Sequence, residues 1–415
     1  MTSQIQTDTI EDFLPAGWVE TTLGKVVKFV VDNRGKTPPL VETGYELLEV
    51  NTVSDNAREP DYSKVSKFVN EEFFTNGFRK GTIKKGDVLI PTVGTIGNVS
   101  YSKLNRGAIA QNLIALRTND ENNSLFLYYF LTDPNTKKVL LNLDIGWVQP
   151  SIKVPHLLNM QVIFPLLPEQ QAIASVLSSF DDKIELLREQ NKILEQLGQT
   201  TFQEWFGKYG VDEELPEGWR VGKLGDFGQI ICGKTPSKEN QEYFIGEIPF
   251  IKIPDMHWQM FIVKTEDSLT KIGANTQKNK MIPKNSICVS CIATVGLVSI
   301  TSEDSQTNQQ INSLMLNKEI YLEYLYFLLS NMKEKLIGIW SGWSATLNIN
   351  TSVFLNIEVV RPDNNILNKF SEMVNPIMKK TLDNLYQIQS ISKARDELLP
   401  RLMSGKVRVN NFNDK

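Results

Sequence analysis

Cysteine and histidine are nearly absent: the 415 residues hold three cysteines and two histidines. Cys232, Cys288 and Cys291 all fall in the second half, which excludes a disulfide framework and points to a reducing compartment. Cys288-Val-Ser-Cys291 has metal-ligand spacing but no second pair, so a buried strand is expected there. His156 and His257 have no nucleophile or carboxylate set around them, and a hydrolytic triad is unsupported. Carboxylates in a nuclease pattern are missing as well. Pro60-Asp61, Pro254-Asp255 and Pro362-Asp363 are not followed by Glu-x-Lys on a strand. Neither an Asn-Pro-Pro-Tyr-like motif nor a Gly-rich methyl-donor loop appears. Any chemistry is therefore expected from partner proteins. No apolar run approaches the roughly 20 residues of a membrane span, and no basic-then-apolar segment precedes Pro15, so a cytoplasmic location is expected.

An excess of positive charge is also lacking, since the formal net charge is −4. Its distribution matters more than its sum. Lys and Arg number 17 against 14 Asp and Glu over residues 21–165, 14 against 14 over 215–362, and 4 against 10 over 166–214. The acidity is concentrated in the stretch between two near-neutral globular regions and in the N-terminal tail, and each globular region can still hold nucleic acid if its bases gather on one face or if partners supply phosphate contacts.

What the chain does have is an internal repeat. Leu14-Pro-Ala-Gly-Trp18 returns as Leu215-Pro-Glu-Gly-Trp219, and Gly35-Lys-Thr-Pro38 as Gly233-Lys-Thr-Pro236. Lys85–Gly97 aligns without a gap on Lys284–Gly296, placing Leu89 and Thr92 opposite Cys288 and Cys291. Phe126–Leu131 matches Tyr324–Leu329, and Leu158–Pro165 matches Leu355–Pro362. Within each copy, Val88–Ile90 and Ile287–Val289 predict buried strands leading into tight Gly loops, and Leu125–Leu131 predicts a helix. Each copy reads as an α/β domain.

After Pro165 and Pro362 the composition turns to Gln, Glu, Lys and Leu with almost no Gly, which predicts two long helices. Phe180, Ile184, Leu187, Asn191, Leu194, Gly198, Thr201 and Trp205 follow a 4,3 spacing, the period of a helix packed lengthwise on another. Ile377, Ile388, Ile391, Leu398 and Leu402 form a less regular stripe in the second. Pro168 opens the first helix, while Gly207 and Gly405 end the two. Asp181-Asp182-Lys183 is expected to be a solvated face. If the helices run antiparallel, the two globular copies are related by an approximate two-fold axis, the symmetry used to read two half-sites on duplex DNA.

With these landmarks in order, the chain resembles the specificity subunits of type I restriction-modification systems. Leu167-Pro-Glu-Gln-Gln-Ala-Ile-Ala-Ser-Val-Leu, with Phe180–Leu187 and Glu204-Trp-Phe206, is similar to the family's central conserved helix, and Leu398–Lys406 to its second. The second helix departs in two respects, since Gln170-Gln171-Ala172 has no clear equivalent there and Met403-Ser404 stands where Trp205-Phe206 would be. The resemblance implies α/β (α+β) target-recognition domains in tandem, separated by two long antiparallel coiled-coil helices in a pseudo-two-fold arrangement. The expected division is a first target-recognition domain over 1–165, the central helix over 166–207, a second domain over 208–362, the C-terminal helix over 363–407, and a tail over 408–415. It also implies a non-catalytic subunit that reads a bipartite double-stranded DNA target, one half per domain. Two methyltransferase subunits and the restriction subunits would dock on it. S-adenosylmethionine, ATP and Mg would be bound by those partners and no cofactor by this chain. The expected partner-docking positions on the helices are Phe180, Ile184, Leu187, Leu194, Trp205, Ile377, Ile388, Leu398 and Leu402. The alternative reading is a coiled-coil adaptor with protein- or RNA-binding globular domains.

Gly228-Gln-Ile-Ile-Cys-Gly-Lys-Thr235 fits the phosphate-loop pattern, but no apolar helix starts at its Lys-Thr, and the first copy keeps only Gly-Lys-Thr-Pro. A backbone-flexible, Lys-bearing DNA-contact loop is expected instead. Base edges call for Arg, Lys, Asn, Gln, Ser or Thr on loops. The candidates are Arg34, Lys36 and Thr37 with Lys234, Thr235 and Ser237; Thr92, Thr95 and Asn98 with Ser290 and Thr294; the amides Gln111, Asn112, Asn308, Gln309 and Gln310; and Lys252 beside Trp258. Each has an alternative role in an ordinary turn or sheet-edge hydrogen bond.

Overall fold

A computed structural model of the chain describes residues 15–35, 37–54, 57–143, 150–257, 259–292, 294–342 and 350–409. Two compact units emerge: residues 1–183 with 391–415 form the first, and 184–390 the second.

In the first unit the strands are β1 (Trp18–Thr22), β2 (Val27–Val31), β3 (Tyr45–Leu48), β4 (Phe68–Val69), β5 (Val88–Pro91), β6 (Ser100–Tyr101), β7 (Ala108–Ile109), β8 (Leu113–Thr118) and β9 (Gln161–Pro165). They form a four-stranded sheet in the order β2-β8-β5-β6, a three-stranded sheet β4-β3-β7 and a ribbon β1-β9. The unbroken Val88-Leu-Ile90 run has a simple cause. Val88 and Ile90 face the main core with Phe126, Leu127 and Leu131, while Leu89 faces a second cluster with Val31, Leu48 and Ile109. A strand buried on both faces needs no polar alternation. Around the sheets lie α1 (Leu23–Val26), α2 (Glu71–Asn76), α3 (Ser124–Thr132), α4 (Pro134–Asn142) and α5 (Val154–Leu158).

After α6 (Leu167–Phe206), the second unit repeats the plan with β10 (Arg220–Lys223), β11 (Gly228–Cys232), β12 (Phe244–Ile251), β13 (Phe261–Ile262), β14 (Asp267–Leu269), β15 (Ile287–Ser290), β16 (Val298–Thr301), β17 (Gln306–Thr307), β18 (Ile311–Leu316) and β19 (Glu358–Arg361). Its sheets run β11-β18-β15-β16-β13, β14-β12-β17 and β10-β19, the same plan with one added edge strand. Register is kept as well as order: Val88 pairs with Leu116 in the first unit, and Ile287 with Leu314 at the corresponding place in the second. Its helices are α7 (Lys271–Asn275), α8 (Leu322–Asn331), α9 (Lys333–Gly342), α10 (Thr351–Leu355) and finally α11 (Asn364–Met403).

Helices α6 and α11 have 40 residues each, roughly 60 Å at 1.5 Å per residue. Both cross from one unit into the other. In the first unit the opening of α6, through Ile173, Ala174 and Leu177, shares a core with the close of α11, through Leu399, Leu402 and Met403. In the second unit Phe202 and Phe206 near the end of α6 meet Phe370 near the start of α11. Within each unit the helix segments are therefore antiparallel.

The seam is more regular than the apolar residues alone suggest. Along α11, Leu367, Phe370, Val374, Thr381, Asn384 and Leu402 are buried on a 3,4 spacing, and Ile377, Ile388, Ile391, Arg395 and Leu398 fall half-buried between them. Polar Thr381, Asn384 and Arg395 hold positions expected to be apolar. Asn384 Nδ2 donates to Asn191 Oδ1 at 2.8 Å, and Asn191 Nδ2 donates to the Thr381 main-chain carbonyl at 3.3 Å. The expectation of a solvated face at Asp181-Asp182-Lys183 is corrected at Asp181 alone, since Asp182 and Lys183 are exposed. Asp181 is buried, accepting from the Tyr129 hydroxyl at 2.7 Å and from the Arg395 guanidinium, while Asp182 pairs with buried Arg58. The seam has drifted by one residue, so Phe180 is only half-buried and Asp181 points inward.

Candidate nucleic-acid interface

The two Gly-Lys-Thr-Pro segments leave equivalent sheet strands. In the first unit, Asn33 at the end of β2 is buried and its amide donates to the carbonyls of Gly81 (2.9 Å) and Ile109 (3.2 Å). The neighbouring Asp32 carboxylate takes a bidentate pair from Arg34, Nε at 2.8 Å and an Nη at 2.7 Å. The Arg34 guanidinium holds that carboxyl below its ordinary range. Its other Nη reaches Thr92 Oγ1 at 3.3 Å, joining two candidates from separate loops. Gly35 turns the chain with φ of +89°, a left-handed conformation suited to glycine. Lys36 lies outside the described residues, and Thr37 Oγ1 then accepts from Gln111 Nε2 at 3.2 Å.

The second unit uses its glycine differently. A Cβ on Gly233 would sit 2.2 Å from the carbonyl oxygens of Thr307 and Asn308, so glycine is required by close approach. Lys234 is clamped through its backbone: N–H to Thr307 O at 2.9 Å, and C=O accepting from Gln277 Nε2 at 2.6 Å. The expectation of a backbone-flexible loop is corrected, because the main chain is fixed and only the Lys234 side chain is free to project. Thr235 Oγ1 donates to Gln309 Oε1 at 2.7 Å, and Ser237 is exposed. The phosphate-loop match dissolves in the same geometry. Gly228–Cys232 is strand β11, and Gly228 is glycine because a Cβ would lie 2.0 Å from Met315 O.

After β5 and β15 come the paired Gly loops. Thr92 is buried and Thr95 exposed; Asn98 Nδ2 donates to Val53 O at 3.3 Å. Ser290 is buried, its hydroxyl donating to Thr294 O and accepting from Leu297 N–H, so it shapes the turn that exposes Thr294. Gln111 and Asn112 are exposed with φ of 40° and 61°. In the second unit Asn308 is buried, and it braces Gln310 by Nδ2 to Oε1 and Oδ1 to the Gln310 N–H, both 3.0 Å, leaving Gln309 exposed. The same tie anchors both amide loops: Thr92 N–H to Asn112 O (2.7 Å) and Cys291 N–H to Gln310 O (2.8 Å). Lys252 is bound by Glu266 (2.7 Å) and Asp267 (3.0 Å), which raise its pKa, and Trp258 lies outside the described residues. Thus the structure gathers Arg34, Thr37, Thr92, Gln111 and Asn112 in one unit, and Lys234, Thr235, Asn308, Gln309 and Gln310 in the other.

The residues proposed for partner docking are largely consumed within the chain. Ile184, Leu187 and Leu402 are buried; Phe180, Leu194, Trp205, Ile377, Ile388 and Leu398 are half-buried, Trp205 against Phe370. Outward on α6 stand Leu186, Ile193 and Leu197, each about half exposed and not singled out by periodicity because they lie off the seam. Sequence reading also missed Gln170, which closes the first unit at the α6 start with bonds to Asn122, Asn123 and Pro165. Cys288 and Cys291 are buried, with thiol pKa values pushed up to about 12 by desolvation. Among the described residues no cluster of three or more His, Cys, Asp or Glu is placed to hold a metal, and no helix is long and apolar enough to cross a membrane.

The type I restriction enzyme HindI specificity subunit of Haemophilus influenzae is 35% identical over 409 residues, covering 80% of this chain and 88% of the relative. The MjaIX specificity subunit of Methanocaldococcus jannaschii is 28% identical, covering 78% of each. The crystal structure of a type I restriction-modification S subunit from M. genitalium shares the fold, with a TM-score of 0.56 at 17% identity and coverage of 93% and 96%. Residues 15–196 and 216–399, one stretch for each copy of the repeat, both match the type I restriction modification DNA specificity domain, and the chain belongs to that family.

Proposed function

We propose that this chain is the sequence-reading subunit of a type I restriction-modification complex, each unit reading one half of a split duplex target. The observation that carries this reading is the duplication at the strand ends. The same loops leave the same strands twice, on shared backbone ties, while the residues beside the shared Thr and Gln differ between the copies: Arg34 against Cys232, Pro39 against Ser237 and Asn112 against Gln310. A common scaffold with unlike loops suits two unlike half-sites.

Helices α6 and α11 then act as the ruler for the unread spacer. The outward Leu186, Ile193 and Leu197, spaced seven and four apart, offer an apolar stripe for helices of the methyltransferase subunits. Methyl transfer with S-adenosylmethionine and ATP- and Mg-dependent cleavage belong in this reading to the methyltransferase and restriction subunits. Near-neutral units favour tight DNA binding only once such partners close around the duplex.

The test is selection from a random duplex pool by the full chain co-expressed with a methyltransferase partner. A two-part consensus with a fixed spacer is expected. Matched seven-residue insertions in α6 and α11 should lengthen the spacer and leave both half-sites unchanged; altered bases would refute the ruler. A complex that forms but retains no sequence would point to a protein adaptor.

A further inference from the structure

We infer that the threonine–glutamine pair of each unit, Thr37 with Gln111 and Thr235 with Gln309, is a duplicated base-reading device. Glutamine is the specificity-determining residue and threonine its positioning residue. The inference rests on the DNA-specificity reading above and goes further by assigning residues and a base.

Both pairs join residues 74 apart in sequence, between the loop after the first strand of the larger sheet and the loop before β8 or β18. Around them the two units differ. In the first, Gln111 and Asn112 occupy the left-handed region; in the second, the buried Asn308 side chain supports the loop through the Gln310 N–H. Arg34 precedes the glycine in one copy and Cys232 in the other. Buried Ala110 stands where Asn308 does. The backbone support and the neighbours have changed, and the pair has been kept.

Stability does not explain this retention. Both glutamines are exposed, where a side-chain hydrogen bond replaces one to water and adds little. Consecutive left-handed non-glycine residues such as Gln111 and Asn112 are a cost to folding. What the hydroxyl does is hold a long, freely rotating side chain in one orientation before a ligand arrives, which lowers the ordering penalty of binding.

The inventory of donors and acceptors then names the base. A carboxamide has two N–H donors and two oxygen lone pairs, and the threonine uses only one of these four. Whether the amide donates, as Gln111 does, or accepts, as Gln309 does, at least one N–H and one lone pair remain free. Those two match the N7 acceptor and N6 donor that adenine presents in the major groove.

The experiment is the same pool selection with the full chain and its methyltransferase partner. Gln111→Ala is expected to lower adenine discrimination about tenfold to a hundredfold at one position of one half-site, with the other half unchanged. Gln309→Ala should do the same in the opposite half. Thr37→Val should relax the position that Gln111→Ala relaxes, and Thr37→Ser should restore it, while thermal melting stays at the wild-type value for all four variants. The inference is overturned if the wild type selects a two-part target and both alanine variants select it unchanged. It is equally overturned if they weaken binding uniformly across all sequences, as phosphate contacts would. Should the wild type select no two-part target, the failure lies with the function proposed above and takes the pair with it.

Discussion

At the residue scale, a tightly coupled polar group lies in the helix seam. Asp181 binds Tyr129 and Arg395, and burial with the adjacent carboxylate pushes the Tyr129 hydroxyl pKa well above its ordinary value. The sign follows from proton counting. Above pH about 10 an unfolded tyrosine loses its proton while folded Tyr129 keeps it, so stability present below that pH falls as pH rises, by about 1.4 kcal/mol per unit per such group. Buried Tyr324 and Tyr326 add to the effect in the second unit. Tyr129→Phe should cost about 1–3 kcal/mol at pH 8, because Asp181 loses a partner, yet flatten the alkaline decline of the first unit. Urea titrations across pH 8–11 decide this; a decline as steep as in the wild type would exclude the assigned role of Tyr129.

At the element scale, α6 depends on one glycine. Gly198 lies in mid-helix, where alanine is ordinarily better by about 1 kcal/mol. Here an added Cβ would stand 2.4 Å from Cζ of buried Phe327, a ring held in the second core. Overpacking of this kind costs about 1–3 kcal/mol, so the clash outweighs the propensity gain. Gly198→Ala should lower stability by roughly 1–2 kcal/mol, and Phe327→Leu in the same chain should recover part of that loss; strictly additive losses in denaturant melts would disprove the contact. The same elements mark how far the sequence was legible. The repeat, the β5 and β15 runs, α3 and both long helices could be read because their periods are local. The α11 seam could be read only in part, through Ile377, Ile388, Ile391, Leu398 and Leu402, since Thr381, Asn384 and Arg395 fill apolar positions and find their partners roughly two hundred residues away in sequence, as the Asn384–Asn191 and Arg395–Asp181 bonds show. In the candidate interface, residue types identified the loops. Which side chains turn outward was set by strand-exit geometry, as when Ser290 is buried to shape a turn and Thr294 is exposed by it.

For the whole molecule, the decisive feature is that the first unit is discontinuous and the second is nested within it. Leu399, Leu402 and Met403 complete the first core, and Arg408 ties Glu169 to the Ala16 carbonyl. Removing residues 391–415 should therefore damage the amino-terminal unit and spare the second, readable as early proteolysis within residues 15–183 while 184–390 persists; loss confined to the second unit would contradict the nesting. Synthesis from the amino terminus gives the same arrangement a temporal meaning. The unit that leaves the ribosome first is the last to be finished. Until the last turns of α11 emerge, its apolar surface has no cover, and a chain broken off within α11 disables the half that was made earlier.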